Sequence, residues 1–154
     1  MQAYDKRLDS LLAAAAKTFA ERGYHATSMR DLARASGFSL AGMYHYVESK
    51  QALLFQIQDR CFVRVLDGAR AAVATAPDTE ARLRAFIRHH VTFFASHMDE
   101  MKVLAHEEDE LTGTMRAQVR RRKKEYVGLL TELLADVPGE HADPSIAAYA
   151  LFGM

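Results

Sequence analysis

The sequence is poor in cysteine, proline and glycine, and its charges cancel. Of 154 residues, one is cysteine, three are proline, eight are glycine and none is tryptophan. The single Cys61 excludes an intramolecular disulfide framework and fits a reducing compartment. Lysine plus arginine and aspartate plus glutamate each number 20, so the net charge gives no sign of a polyanionic partner.

Long hydrophobic runs are also absent. No window holds 18 consecutive apolar residues, and the N-terminal segment carries acidic residues and lacks the apolar stretch of a signal peptide. We therefore expect a cytoplasmic protein that does not span a membrane. Hydrophobic residues at 49% and charged residues at 26% are ordinary for a globular chain, and a chain of this length can bury a core without disulfides or metals.

Apolar residues recur every three or four positions between the glycines and prolines, which predicts amphipathic helices and an all-α fold. We expect helices at about residues 4–22, 27–37, 39–45, 49–77, from 78 onward, 99–110 and 113–135. The fifth helix should bury a stripe of Leu83, Phe86, Ile87, His90, Val91 and Phe94. An eighth helix should begin at Pro144, capped by Asp143, and continue to Met154.

The most specific motif lies at residues 28–47, SMRDLARASGFSLAGMYHYV. Two short helices are joined by the glycine-containing turn at residues 35–38, a pattern typical of the helix-turn-helix, whose second helix enters the major groove of DNA. Spacing alone leaves a second interpretation open, because any corner between two apolar helices with glycine in the turn would look similar.

A wider segment resolves this choice. Residues 19–54, FAERGYHATSMRDLARASGFSLAGMYHYVESKQALL, closely resemble the DNA-binding domain of the tetracycline-repressor (TetR/AcrR) family of bacterial transcriptional regulators. The resemblance implies a helix-turn-helix domain at residues 1–48 and a helical effector-binding and dimerisation bundle at 49–154. It also implies a homodimeric repressor that a small hydrophobic effector releases from double-stranded operator DNA, with no catalytic role and no cofactor.

The resemblance assigns DNA contacts to the two helices of the motif and to the start of the fourth. The phenol of Tyr44 suits a phosphate oxygen, and the Lys50 ammonium lies at a helix start where free amides also attract phosphate. Arg30 could reach a base edge, whereas Phe38, Tyr46 and Val47 should pack the core. The DNA-binding residues that we expect are Ser28, Met29, Arg30, Ser39, Leu40, Ala41, Gly42, Tyr44, His45 and Lys50.

The resemblance also implies an effector pocket within the bundle, coupled to DNA binding through the fourth helix. Bulky side chains could line it, and His90 and Tyr126 could orient a ligand because they interrupt apolar stripes. The expected pocket residues are Phe62, Phe86, His90, Phe94, Met98, Met101 and Tyr126. The basic run at residues 120–124 suits a solvated helix, a contact with the acidic end of the sixth helix, or a phosphate-bearing effector. Among such effectors, the resemblance points to the acyl-coenzyme A type.

Two other function classes fit parts of the sequence. Seven histidines invite a metal-dependent hydrolase, but His90 and His97 are two helical turns apart, and no HExxH motif occurs. Cys61 lies on an apolar stripe and is expected in the core rather than as a nucleophile. A helical adaptor that binds only protein is the third possibility, and it requires that duplex DNA does not bind.

Members of the resembled family carry further helical segments that pair in the dimer. This sequence supplies only the first part of the eighth helix and no ninth, and the eighth carries apolar Ile146, Ala147, Tyr149, Ala150 and Phe152. We therefore expect a truncated form of a longer regulator that dimerises poorly by itself.

Overall fold

A computed structural model describes residues 2–138 and positions 143, 144 and 146 of the chain. This part contains helices and no strand, which confirms the all-α prediction. The helices are α1 (Gln2–Arg22), α2 (Met29–Ser36), α3 (Leu40–Tyr44), α4 (Lys50–Ala74), α5 (Thr79–Ser96), α6 (Met98–His106) and α7 (Gly113–Ala135), with a 3₁₀ turn at Glu108–Glu110.

The chain forms two compact units. The first comprises residues 1–61 and 97–119, and the second comprises residues 62–96 and 120–154. The first unit therefore contains α1, α2, α3, the first half of α4, α6, the 3₁₀ turn and the beginning of α7. The predicted division into domains at residues 48 and 49 stays a prediction.

The core of the first unit is built on the apolar stripe of α1. Leu11, Ala15 and Phe19 recur at helical spacing and are almost fully buried. They are joined there by buried residues of the other elements of this unit, Leu32, Met43, Val47, Leu53, Leu54, Ile57, Val103 and Leu111. Burial of large apolar side chains such as Phe19 contributes about 1.5–3 kcal/mol each.

Local capping chemistry sets most helix boundaries. The hydroxyl of Ser49 accepts the amide of Ala52, and the carboxylate of Asp78 accepts the amide of Ala81, so the two side chains cap the N-terminal ends of α4 and α5. Gly23 ends α1 with a left-handed φ of 84°, which glycine adopts without steric cost.

Two predictions about the helices were wrong. The sixth helix ends at His106 rather than Glu110, because Glu107 leaves the helical conformation and a 3₁₀ turn follows. On α5 the buried face follows Phe86, His90 and Phe93, whereas Val91 is 59% exposed and Phe94 is 40% exposed. Phe86 and His90 are therefore buried as predicted, whereas Val91 and Phe94 were wrongly placed in the stripe because apolar residues cluster densely near the end of α5.

The second unit contains a close approach of α5 to α4. The ring of His89 lies against Gly68, where an added Cβ would come within 2.3 Å of the imidazole Cε1. The Nε2–H of His89 donates to the carbonyl of Val65 at 3.0 Å. The His89 side chain of α5 therefore packs onto the backbone of α4 at a position that has no Cβ. The nearby core contains Val65, Leu66, Ala69, Phe86, Leu130 and Leu133.

None of the helices in the described part of the chain combines the length and apolar character that crossing a bilayer requires. The predicted eighth helix, with its five apolar residues, lies largely outside the described residues. Of its positions, 144 and 146 are helical, and Ile146 is exposed.

We predict that Gly68→Ala lowers the free energy of unfolding by about 1–3 kcal/mol, since the new methyl group displaces the His89 ring. Urea unfolding of the purified variant measures the effect. Gly128→Ala in α7 is the matched control, because an added Cβ meets nothing within 4 Å there. The control should gain about 0.5–1 kcal/mol from helix propensity. Equal effects of both substitutions would contradict the proposed contact.

Candidate nucleic-acid interface

Ser28 fixes the start of α2 through a reciprocal capping box. Its hydroxyl donates to the Asp31 carboxylate at 2.6 Å and accepts the Asp31 amide at 3.1 Å, while the Ser28 amide donates to the same carboxylate at 2.9 Å. These hydrogen bonds to Ser28 hold the pKa of Asp31 below its usual value. The side chain of Ser28, a predicted contact residue, therefore forms the N-terminal cap of α2. The next two residues are Met29, which is half-buried, and Arg30, which is exposed.

A tight turn then leads into α3. Gly37 adopts φ 71° and Phe38 donates its amide to the carbonyl of Ala33 at 3.0 Å, which closes α2. Ser39 caps α3 by accepting the Gly42 amide at 3.0 Å. An added Cβ at Gly42 would lie only 2.9 Å from that hydroxyl oxygen, so glycine accommodates the cap.

The short helix α3 has one buried face and one exposed face. Met43 and, just beyond the helix, Val47 are buried in the core of the first unit, the position expected for Val47. The predicted contact residues Ser39, Ala41, Tyr44 and His45 are exposed, and Leu40 and Gly42 are partly exposed. Tyr44 keeps 49% of its surface accessible. The exposed face is therefore the one that carries the predicted contacts.

Lys50, the first residue of α4, holds the loop between α1 and α2. Its ammonium donates to the carbonyls of Tyr24 at 2.8 Å and Thr27 at 3.1 Å, and lies 4.1 Å from the centre of the Tyr24 ring. Both acceptors are neutral, so the cation is not neutralised by these contacts. The two hydrogen bonds use two of its three N–H groups.

The acidic segment after α6 also contacts this loop. These contacts were not predicted from the sequence. The Tyr24 amide donates to the Glu107 carboxylate at 3.1 Å, and His25 hydrogen-bonds Glu110 at 2.9 Å. Gln51 of α4 donates to the Glu110 carbonyl at 3.0 Å. Burial raises the pKa of Tyr24, and the two carboxylates raise it further. The acidic segment at residues 107–110 is therefore joined by hydrogen bonds to this loop and to the start of α4.

The polar pair predicted for the effector pocket forms in the second unit. His90 Nδ1 and the Tyr126 hydroxyl are hydrogen-bonded at 3.1 Å, and the Phe86 ring centre lies 5.2 Å from that of Tyr126. Burial, and then the neighbouring His89, lower the pKa of His90, which favours the neutral imidazole. Phe62 is buried as well, whereas Phe94 is partly exposed.

The two predicted pocket methionines belong to the first unit. Met98 is 56% exposed, and the sulfur of Met101 lies 4.0 Å from that of the buried Cys61. Cys61 is thus a core residue, as expected. A cavity of about 430 Å³ lies between α4 and α5 in the second unit, but it is lined by Ala72, Thr75, Ala81, Arg84, Ala85, Arg88, His89 and Thr92, which include none of the seven predicted pocket residues.

Among the described residues, no three His, Cys, Asp or Glu side chains come together in a way that could hold a metal ion.

In the basic run at residues 120–124, Arg120, Arg121 and Lys124 are exposed, and Arg122 and Lys123 are partly buried. The neighbouring Glu125 forms an ion pair with Arg70 at 3.8 Å.

Two family models match the chain. Residues 11–57 match "Bacterial regulatory proteins, tetR family", and residues 76–154 match "Tetracyclin repressor-like, C-terminal domain". Among solved structures, AibR in complex with isovaleryl coenzyme A and operator DNA superposes with a TM-score of 0.85 at 31% identity, over 96% of this chain and 82% of AibR.

Curated relatives include an activator and a repressor. The chain is 33% identical to the transcriptional activator FasR of Mycolicibacterium smegmatis over 70% of its own length and 49% of that protein. It is 40% identical to the transcriptional repressor KstR2 of Rhodococcus jostii over 53% of its length and 40% of that protein. The chain therefore spans about half the length, or less, of these two relatives.

The lowered pKa of His90 predicts a loss of stability in mild acid. The unfolded histidine, with an ordinary pKa of 6.5, binds a proton before the folded one does. The contribution of neutral His90 is therefore complete above that value and falls as the pH drops below it. Unfolding measured between pH about 7.5 and about 5.5 should show a shallower pH dependence for His90→Asn than for the unsubstituted protein. His106→Asn, at an exposed position, is the control; equal pH dependences in all three proteins would contradict this.

Proposed function

The chain belongs to the tetR family of bacterial regulatory proteins, and on that premise we propose that it represses transcription by binding operator DNA as a homodimer in the cytoplasm. The family comprises transcription regulators and not enzymes, in agreement with the expectation that this chain has no catalytic role. Of the curated relatives named above, FasR is a transcriptional activator and KstR2 is a transcriptional repressor. Over the matched residues, KstR2 has the higher identity to this chain.

The observation that carries the DNA-binding proposal is the exposed face of α3 between two capped ends. α3 enters the major groove, where Ser39, Leu40, Ala41, Gly42 and His45 meet base edges. Because the first four of these side chains are small or apolar, contact with thymine methyl groups is favoured there over extensive hydrogen bonding.

The flanking elements supply the remaining contacts. Tyr44 donates its hydroxyl to a phosphate, and Lys50 contributes its uncompensated charge at the start of α4. The capping box uses the amides of Ser28 and Asp31, which leaves the amides of Met29 and Arg30 in the first turn of α2 for a phosphate oxygen. The exposed guanidinium of Arg30 reaches a base edge, for which guanine is the best match.

The second part of the proposal concerns the effector, a small hydrophobic acyl-coenzyme A type ligand. The isovaleryl coenzyme A in the AibR complex supports this class. In the second unit, Phe62, Phe86 and Phe94 supply apolar contact, and the His90–Tyr126 pair orients a polar group of the ligand. Effector binding is coupled to DNA binding through α4, whose residues belong to both units.

We predict that Lys50→Ala and Tyr44→Phe weaken DNA binding in different ways. The first removes a charge, so log K against log salt should become shallower by about 0.9 for each protomer bound. The second removes a neutral donor, so affinity should fall while the slope stays the same. Fluorescence anisotropy with a duplex that the protein selects from a random-sequence pool measures both. An unchanged affinity and slope for Lys50→Ala would remove Lys50 from the interface, and absence of duplex binding at low salt would overturn the proposed function.

We predict that isovaleryl coenzyme A lowers the affinity of the protein for the same duplex, by about 5–150-fold if the coupling has the usual size. Tyr126→Phe should keep DNA affinity but respond less to the ligand, because the His90 hydrogen bond is lost. Tyr44→Phe is the reciprocal control, with weaker DNA binding and an unchanged relative response. A full response of Tyr126→Phe would show that this hydroxyl does not contact the effector.

A further inference from the structure

Three aromatic rings connect the beginning of α1 with both ends of α3. Phe38 lies immediately before the cap of α3, and Tyr46 lies just after its C-terminal end. Their ring centres are 5.5 Å apart in an edge-to-face arrangement, and Tyr4 of α1 stacks on Tyr46 at 4.7 Å. The first turn of α1 is therefore placed beside α3, the recognition helix that is proposed to enter the major groove.

Arg7 lies one helical turn after Tyr4 and extends the same cluster. Its guanidinium carbon is 5.1 Å from the centre of the Phe38 ring, and the residue is exposed. Arg7 forms no ion pair with any carboxylate among the described residues. The aromatic face attracts the cation without neutralising it, so a full positive charge is held next to the residue that precedes Ser39.

The two acidic residues in the first turns of the same helix lie on its other side. Asp5 and Asp9 are four residues apart and share one face, and Asp9 forms an ion pair with Arg60 of α4 at 2.7 Å. Lys6 is exposed and lies opposite the buried stripe of Leu8 and Leu11. The start of α1 is thus divided into an acidic side towards α4 and a basic, aromatic side towards α3.

We propose that Arg7 is a further DNA contact, which binds a backbone phosphate beside the entry end of the recognition helix. The guanidinium fork matches a phosphate geometrically, and its stacking on Phe38 fixes it before DNA arrives, which reduces the entropy lost on binding. The aromatic cluster of Tyr4, Phe38 and Tyr46 sets the position of Arg7 relative to α3. This inference rests on the proposed DNA-binding function and extends its interface to α1.

The experiment compares Arg7→Gln with Lys6→Gln on a random-sequence duplex of about 30 base pairs, across a series of salt concentrations. Both substitutions remove one charge from adjacent positions of one helix, so long-range electrostatics change equally. Glutamine retains most of the aliphatic stem over Phe38, and thermal unfolding followed by circular dichroism compares the stability of the variants. Arg7→Lys restores the charge without the planar fork.

We expect Arg7→Gln to flatten the salt dependence by about 0.9 per bound protomer, and to weaken binding roughly tenfold per protomer at about 0.1 M salt. Arg7→Lys should restore the slope, and Lys6→Gln should leave affinity and slope nearly unchanged. If Arg7→Gln and Lys6→Gln behave alike while the unsubstituted protein binds the duplex, Arg7 only covers Phe38 and the inference is overturned. If the unsubstituted protein fails to bind any duplex at low salt, the proposed function fails as well.

Discussion

The contact between Lys50 and the loop after α1 is the constraint on which the helix-turn-helix depends. The carbonyls of Tyr24 and Thr27 in this loop both accept from the ammonium group. The Thr27 hydroxyl donates to the Gly23 carbonyl at 2.8 Å, and the Tyr24 amide donates to the Glu107 carboxylate. Because partly buried backbone groups need partners, these contacts leave the loop few alternative conformations. α2 begins two residues after Thr27, so its direction follows from that of the loop.

The same arrangement explains how a cation can hold the loop in place and still be available for the proposed contact with DNA. A lysine held by a carboxylate would be neutralised and would add little to the attraction of a phosphate. Lys50 is held by neutral carbonyls and an aromatic face, and Arg7 by the aromatic face of Phe38. The acids Glu107 and Glu110 instead accept the Tyr24 amide and His25. Charges proposed to meet DNA are therefore positioned by groups that do not cancel them.

Local features of the sequence were sufficient to predict most of the secondary structure. Caps such as Ser28, Ser39 and Ser49 act on amides three residues away, so their effect is visible in the sequence. The Lys50–Tyr24 and Tyr24–Glu107 hydrogen bonds join residues 26 and 83 positions apart, and nothing in either segment identifies its partner. For the same reason the motif suggested α3 as the recognition helix, but the stacking of α1 against it came only from the structure.

The chemistry of α3 limits how much sequence information this helix can read. The Ser39 hydroxyl oxygen accepts the Gly42 amide, and the same hydroxyl leaves no room for a Cβ at position 42. These two residues are thus constrained by the cap of their own helix rather than by a base. With Ala41 between them, the exposed face offers few hydrogen-bonding groups before Tyr44 and His45. In the proposed complex, discrimination by hydrogen bonds to bases therefore depends on Arg30 and His45, and the small residues of α3 add only contacts to thymine methyl groups. Contacts to the phosphate backbone would supply most of the affinity and fix the register in which these side chains meet the groove.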